Sequence, residues 1–203
     1  IKKNGIYVDA TFGGGGHSRA ILAALGSDGR LLGFDRDPDA MQNAPSDPRF
    51  TFVHSDFRYI SNFLHYHGIE SVDGILADLG VSFHHFDSAD RGFSFRADAP
   101  LDMRMNRNGD LSAATLIENY SKEDLERLLR AYTDLKRPGQ IATLIEKAKK
   151  ESPILTTTQL VEAVRPATNP KNEKKELAQV FQAFRIEVNG EMDALERLLE
   201  QSL

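Results

Sequence analysis

Asp9-Ala10-Thr11-Phe12-Gly13-Gly14-Gly15-Gly16-His17-Ser18 lies between an apolar run, Gly5-Ile6-Tyr7-Val8, and a helix-compatible run, Arg19-Ala20-Ile21-Leu22-Ala23-Ala24-Leu25. The order is strand, glycine turn, helix. Glycine has no Cβ, so such a turn can take positive φ and let a ligand approach the backbone. The first N–H groups of the following helix have no partner within the helix and face the same space. Counting from Gly13, the sixth position is Ser18, so the third glycine of a G-x-G-x-x-G dinucleotide fingerprint is missing. The Gly-Lys-Ser/Thr of a phosphate loop is missing too. A ligand of the adenosine type, without a tightly held pyrophosphate, fits what remains; a purely structural turn is the plainer alternative.

Outward from this turn the chain alternates. Strands are expected at residues 6–11, 30–35, 50–54 and 72–80, and helices at 18–25, 38–44 and 59–67. Alternation of this kind builds a mostly parallel sheet covered on both faces, an α/β fold. Ligands of such sheets sit beyond the carboxyl ends of the strands. Asp35 ends the second strand, 22 positions after Gly13, where a carboxylate can accept hydrogen bonds from both ribose hydroxyls. Asp37 competes for that task but better suits the N-cap before Pro38. Asp56-Phe57 follows the third strand and Asp78 ends the fourth. Phe57 can stack on a purine or fill the core.

Residues 81–110 carry no clean period and are read as a long ordered loop, rich in Phe, Arg, Asp and Met. Arg91, Phe93, Phe95, Arg96 and Arg104 interleave charge with aromatic rings, which suits holding an unpaired base and its phosphates. The adjacent His84 and His85 lack a third ligand, so no metal is expected. From residue 112 the chain reads as helical. Ser121-Lys122-Glu123-Asp124 resembles a capping box, Pro138 starts a helix to about Lys150, Thr157 or Thr158 caps another to about Val164, and one long amphipathic helix is expected over about 176–201. That last helix is expected to pack internally.

The 203 residues suffice for one large domain or a domain with an insert. Cysteine is absent, which excludes disulfides and thiolate metal sites. No apolar run approaches the roughly 20 residues of a membrane span. The net charge of −5 argues against a nucleic-acid protein, but it is uneven. Residues 1–100 are net −4, residues 101–176 net +2 and residues 177–203 net −3.

Taken together, Asp-Ala-Thr-Phe-Gly-Gly-Gly-Gly-His-Ser (9–18), Gly-Phe-Asp-Arg-Asp-Pro (33–38), Asp-Leu-Gly-Val-Ser (78–82), Arg-Gly-Phe-Ser-Phe-Arg (91–96), Pro-Leu-Asp-Met-Arg-Met (100–105) and Phe-Gln-Ala-Phe-Arg-Ile-Glu-Val-Asn (181–189) resemble the MraW-type family of bacterial S-adenosylmethionine-dependent methyltransferases. The resemblance runs in order over nearly the whole chain. It implies a Rossmann-like class I methyltransferase sheet with an inserted all-helical domain. The S-adenosylmethionine domain would comprise residues 1–100 and 177–203, and the insert, assigned to RNA recognition, residues 101–176. It further implies methyl transfer to N4 of a cytidine in the decoding centre of 16S rRNA, within the small ribosomal subunit in the cytoplasm, by a monomer or homodimer. Cofactor contacts are implied at Gly15, Gly16, His17, Asp35, Phe57 and Asp78. His85 stands where the family usually has a glutamine. The family's N-terminal His-x-Pro-Val-Leu-like segment and C-terminal strands are not among these residues, so the chain is expected to be a fragment.

The exocyclic amine of cytosine is a poor nucleophile because its lone pair is delocalised into the ring. A carboxylate or carbonyl accepting an amine proton would help, and Asp78 with the backbone of 79–81 is the candidate. A nicotinamide-dependent oxidoreductase is the rival enzyme, and a non-catalytic nucleotide-binding adaptor the rival non-enzyme.

Overall fold

A computed structural model describes residues 1–80 and 89–202. Among them, β1 (Ile6–Asp9), β2 (Arg30–Asp35), β3 (Phe50–His54) and β4 (Gly74–Leu76) form a parallel sheet in the order β3-β2-β1-β4. Val8 lies opposite Leu32 on one side and Ile75 on the other. Successive strand residues face opposite ways, and the burial follows that period of two. Val8, Leu32, Phe34 and Val53 go to one cluster with Ile60, Ala194 and Leu198. Tyr7 and Leu31 go to the other with Ile21 and Leu22 of the first helix, α1 (Gly16–Ala24), and Leu25 at its C-cap. Both faces are thus covered, as alternating strands and helices require.

The fourth strand is shorter than the expected 72–80. It pairs only along Tyr7–Asp9 of β1, and residues 77–80 leave the sheet exposed. The expected helix at 38–44 is a 3-10 turn, Pro38–Asn43, capped by the Asp37 side chain on the Asp39 N–H. The expected 59–67 helix begins as a 3-10 turn, Phe57–Tyr59, capped by Asp56, and continues as α2 (Ile60–Tyr66).

The chain divides into two compact units, Ile1–His84 with Met192–Leu203, and His85–Glu191. The expected insert, 101–176, lies inside the second unit, which also takes in the preceding loop from residue 89 and the following helix. That unit is built from α3 (Ala113–Asn119), α4 (Lys122–Tyr132), α5 (Pro138–Glu151), α6 (Thr157–Val164) and α7 (Glu173–Asn189). Leu116, Leu125, Leu129, Ile141, Ile145, Leu160, Val180 and Phe184 are wholly or almost wholly buried. The capping box expected at Ser121 is present, with Asp124 answering for glutamate.

Two sequence expectations are corrected here. Thr156 caps α6, not Thr157 or Thr158, and Gln159 completes a capping box. Thr157 instead turns inward, where its hydroxyl donates to the Ala97 carbonyl and accepts the Ala99 N–H. The single long helix expected over 176–201 is two helices, α7 and α8 (Glu191–Gln201). Gly190 separates them in the left-handed conformation, φ 57°, which a side chain would disfavour. The break lets α7 belong to the second unit while Ala194 and Leu198 of α8 join the core of the first.

Candidate functional site

The glycine turn is held from below. Phe12 is buried against Phe50 and Phe52, with ring centroids at 5.2 and 5.5 Å, and its N–H donates to the Phe34 carbonyl. Asp9, fully buried at the end of β1, accepts the Ser18 hydroxyl at 2.7 Å and the Thr11 N–H at 3.2 Å. The start of the turn and the start of α1 are thereby tied to one carboxylate. Gly15 is the N-cap of α1, at φ 72°, and a Cβ there would lie 2.9 Å from the Phe12 ring. Only glycine meets both demands.

No side chain caps α1. Gly16 and His17 are exposed, and a Cβ on Gly14 or Gly16 would meet nothing within 4 Å. The helix therefore presents its N-terminal N–H groups to open space, an arrangement that suits an anionic or polar ligand group.

Asp35 comes to this turn from the end of β2. One carboxylate oxygen accepts the Gly13 N–H at 2.8 Å and the other the Asp37 N–H at 2.8 Å. A carboxylate oxygen can accept more than one hydrogen bond, so these two contacts do not by themselves exclude a ligand hydroxyl. Thr11 joins the turn to the segment that follows β4: its hydroxyl accepts the Asp78 N–H at 2.7 Å. The Asp78 side chain is exposed. Gly15, Gly16, His17, Asp35 and Asp78 thus stand together at the carboxyl edge of the sheet within the first unit.

Phe57 is different. It is 9% exposed, belongs to the core cluster, and lies under the Arg36 guanidinium at 5.8 Å. Little of its ring is left for a purine. Arg36 also pairs with Asp56 at 3.0 Å, and Arg58 bridges Asp56 and Asp193 of α8. His85 lies outside the described residues.

In the second unit the structure gives Arg91 and Phe93 an internal task. Arg91 is 3% exposed, and its guanidinium donates to the Arg104 and Met105 carbonyls, both at 2.8 Å. It also lies 5.7 Å from the centroid of the buried Phe93 ring. A buried guanidinium holding carbonyls organises its own loop and cannot also clasp an external phosphate. Phe95 packs edge-on against Phe181, and Arg96 remains exposed. Arg104 forks onto Asp102, at 2.7 and 2.8 Å, and reaches the Gly109 carbonyl. Burial alone would push the Asp102 carboxyl up; the Arg104 hydrogen bonds and charge outweigh it and hold it below the usual carboxylate range.

Sequence reasoning missed Asn189. Its amide donates to the Met103 and Arg185 carbonyls and accepts the Met105 N–H, each at 2.8 Å. Met103, buried at φ 60°, is held in that strained conformation between Asn189 and the Arg91 carbonyl. The available signal was Asn189-Gly190 itself, a helix-ending pair inside an apparently continuous helix.

A parallel sheet with a glycine turn after β1 and an acid at the end of β2 defines a Rossmann-like α/β protein. Residues 1–203 match the MraW methylase family, and the chain belongs to it. It is 55% identical over 199 residues to ribosomal RNA small subunit methyltransferase H of Bacteroides thetaiotaomicron, covering 98% of this chain and 66% of the relative. Proteins of the same name from Parabacteroides distasonis and Flavobacterium johnsoniae are 54% and 52% identical, each covering 100% of this chain and 67% of the relative. The chain spans about two thirds of the length of these relatives.

Proposed function

We propose that the protein containing this chain transfers a methyl group from S-adenosylmethionine to N4 of a cytidine in the decoding centre of 16S rRNA, in the bacterial cytoplasm. The reading rests on family membership and on one local observation: Asp35 is fastened to the Gly13 N–H beside an uncapped helix start. The residues present suit the cofactor. Asp35 would take the ribose hydroxyls, and the open backbone at Gly14–His17 would take the polar end of the molecule. S-adenosylmethionine, when bound, supplies a methyl group activated by its sulfonium.

The chain's own work is positioning. Asp78, held through Thr11 to the same turn, is the candidate acceptor for a proton of the cytosine amine, with the backbone beyond Leu79 as its alternative. Accepting that proton localises the nitrogen lone pair toward the methyl group. The first unit carries the cofactor, and the second contributes RNA contacts. Among the RNA candidates Arg96 keeps a free surface position, while Arg104 offers what its fork on Asp102 leaves exposed.

The test uses the full-length protein with small ribosomal subunits from cells lacking it. Labelled methyl groups should appear as N4-methylcytidine on nuclease digestion of 16S rRNA. Label at another atom or another base would contradict the proposal.

A further inference from the structure

The second unit contains a cleft of about 520 Å³ whose wall has no place in the reading above. Glu187 of α7 lines it. One carboxylate oxygen accepts the Tyr120 hydroxyl at 2.6 Å and the other the Tyr132 hydroxyl at 3.0 Å. Burial and the Glu187 carboxylate push the Tyr120 phenol up to about 12, and the same causes raise Tyr132. Both therefore remain neutral donors toward Glu187. Leu128 gives an apolar wall, and Asp124 and Arg127, paired with each other, stand at the side.

Toward a guest the Tyr120-Glu187-Tyr132 side of the cleft offers acceptors, while Asn119 and the Asp124-paired Arg127 complete the polar lining. The two tyrosine hydrogens are already given to Glu187, so the phenol oxygens face outward only as acceptors. Each Glu187 oxygen retains a lone pair. Among the described residues no Lys or Arg pairs with Glu187. Its two phenol partners are neutral, and a half-buried carboxylate with only neutral partners attracts a counter-charge. A guest here should be a donor without acceptors, planar enough to lie along tyrosine rings, and positive. Guanidinium has those properties: five N–H donors in a fixed fork, no acceptor, a face that stacks on aromatics. A nucleobase brings acceptors and a phosphate, which the Glu187 carboxylate and its two phenol oxygens do not favour.

We propose that the Tyr120-Glu187-Tyr132 cleft is a socket for an arginine side chain of a basic protein segment. The inference does not depend on which reaction the first unit performs.

The experiment follows the tyrosine-ring resonances of the full-length protein during titration with N-acetyl-arginine amide. N-acetyl-citrulline amide, the neutral isostere, and guanosine monophosphate are the comparison probes. The arginine probe should shift the Tyr120 and Tyr132 rings saturably and bind about tenfold tighter than the citrulline probe. Glu187→Gln should remove most of that preference. Arg127→Ala, which deletes the only cation on the wall, should tighten arginine binding two- to threefold (roughly). Equal binding of arginine and citrulline, or no shift of either ring with arginine, would overturn the proposal. So would preferential binding of the nucleotide that weakens in Arg127→Ala, which would mark an RNA contact. The isostere comparison is made on the unaltered protein, so the test survives a variant that does not fold.

Discussion

Asp35 lies at the hinge between structure and ligand. It is fastened to two backbone N–H groups, and a carboxylate at the end of β2 is the group to which a pair of ribose hydroxyls would donate. Asp35→Ala should therefore weaken S-adenosylmethionine at least tenfold, about 1.4 kcal/mol, while leaving RNA affinity unchanged; equilibrium titrations with each ligand check both halves. Asp35 was legible in the sequence because its task depends on a short spacing from the glycine turn. Arg91 was not. An arginine beside phenylalanines reads as an RNA clasp until the fold brings the Arg104 and Met105 carbonyls to its guanidinium. Asp102 and Arg104 carry a pH prediction. The Asp102 carboxyl is held below its usual value of about 3.9, so its contribution is complete above that pH and is lost as pH falls through the depressed value. Asp102→Asn should cost about 1 kcal/mol at pH 7, and thermal melts should show the difference from the unaltered protein shrinking below about pH 4.

Elements that announced themselves did so through local chemistry. The capping box at Ser121 and the proline opening α5 needed only neighbours in sequence. The apolar runs marked the strands, but the sorting of Val8 and Leu32 from Tyr7 and Leu31 onto opposite faces came only with the packing. Elements decided by distant partners were misread. Thr157 looked like a cap, but the carbonyl of Ala97 and the N–H of Ala99, about 60 positions earlier, draw it inward and leave the cap to Thr156. The break at Gly190 was overlooked because apolar spacing continued on both sides of it. Asn189, just before that break, fixes the buried segment at Met103–Met105 to the end of α7. Removing its amide leaves the Met103 carbonyl and the Met105 N–H short of a partner, a loss of about 1–3 kcal/mol. Asn189→Ala should lower the melting temperature by several degrees and speed hydrogen exchange at the Met105 amide. Unchanged exchange there would show that the segment is held by other means.

At the scale of the molecule, the chain crosses between its units at two places, and each unit has its own buried core. The α/β character was legible because short apolar strands alternate with helical runs up to residue 80, and the all-helical region because only helical runs follow residue 112. The unit boundaries were not, since the division after Glu191 and the burial of residues 91–93 depend on tertiary packing rather than on composition. Charge told little: a net −5 chain carries a region of net +2. The central claim is that the edge made by the glycine turn, Asp35 and Asp78 takes S-adenosylmethionine. Calorimetric titration of the full-length protein with S-adenosylmethionine, and separately with NAD, tests it most directly. Saturable one-to-one binding of S-adenosylmethionine, with no heat from NAD, is the predicted result. Binding of NAD alone, or of neither ligand, would contradict it.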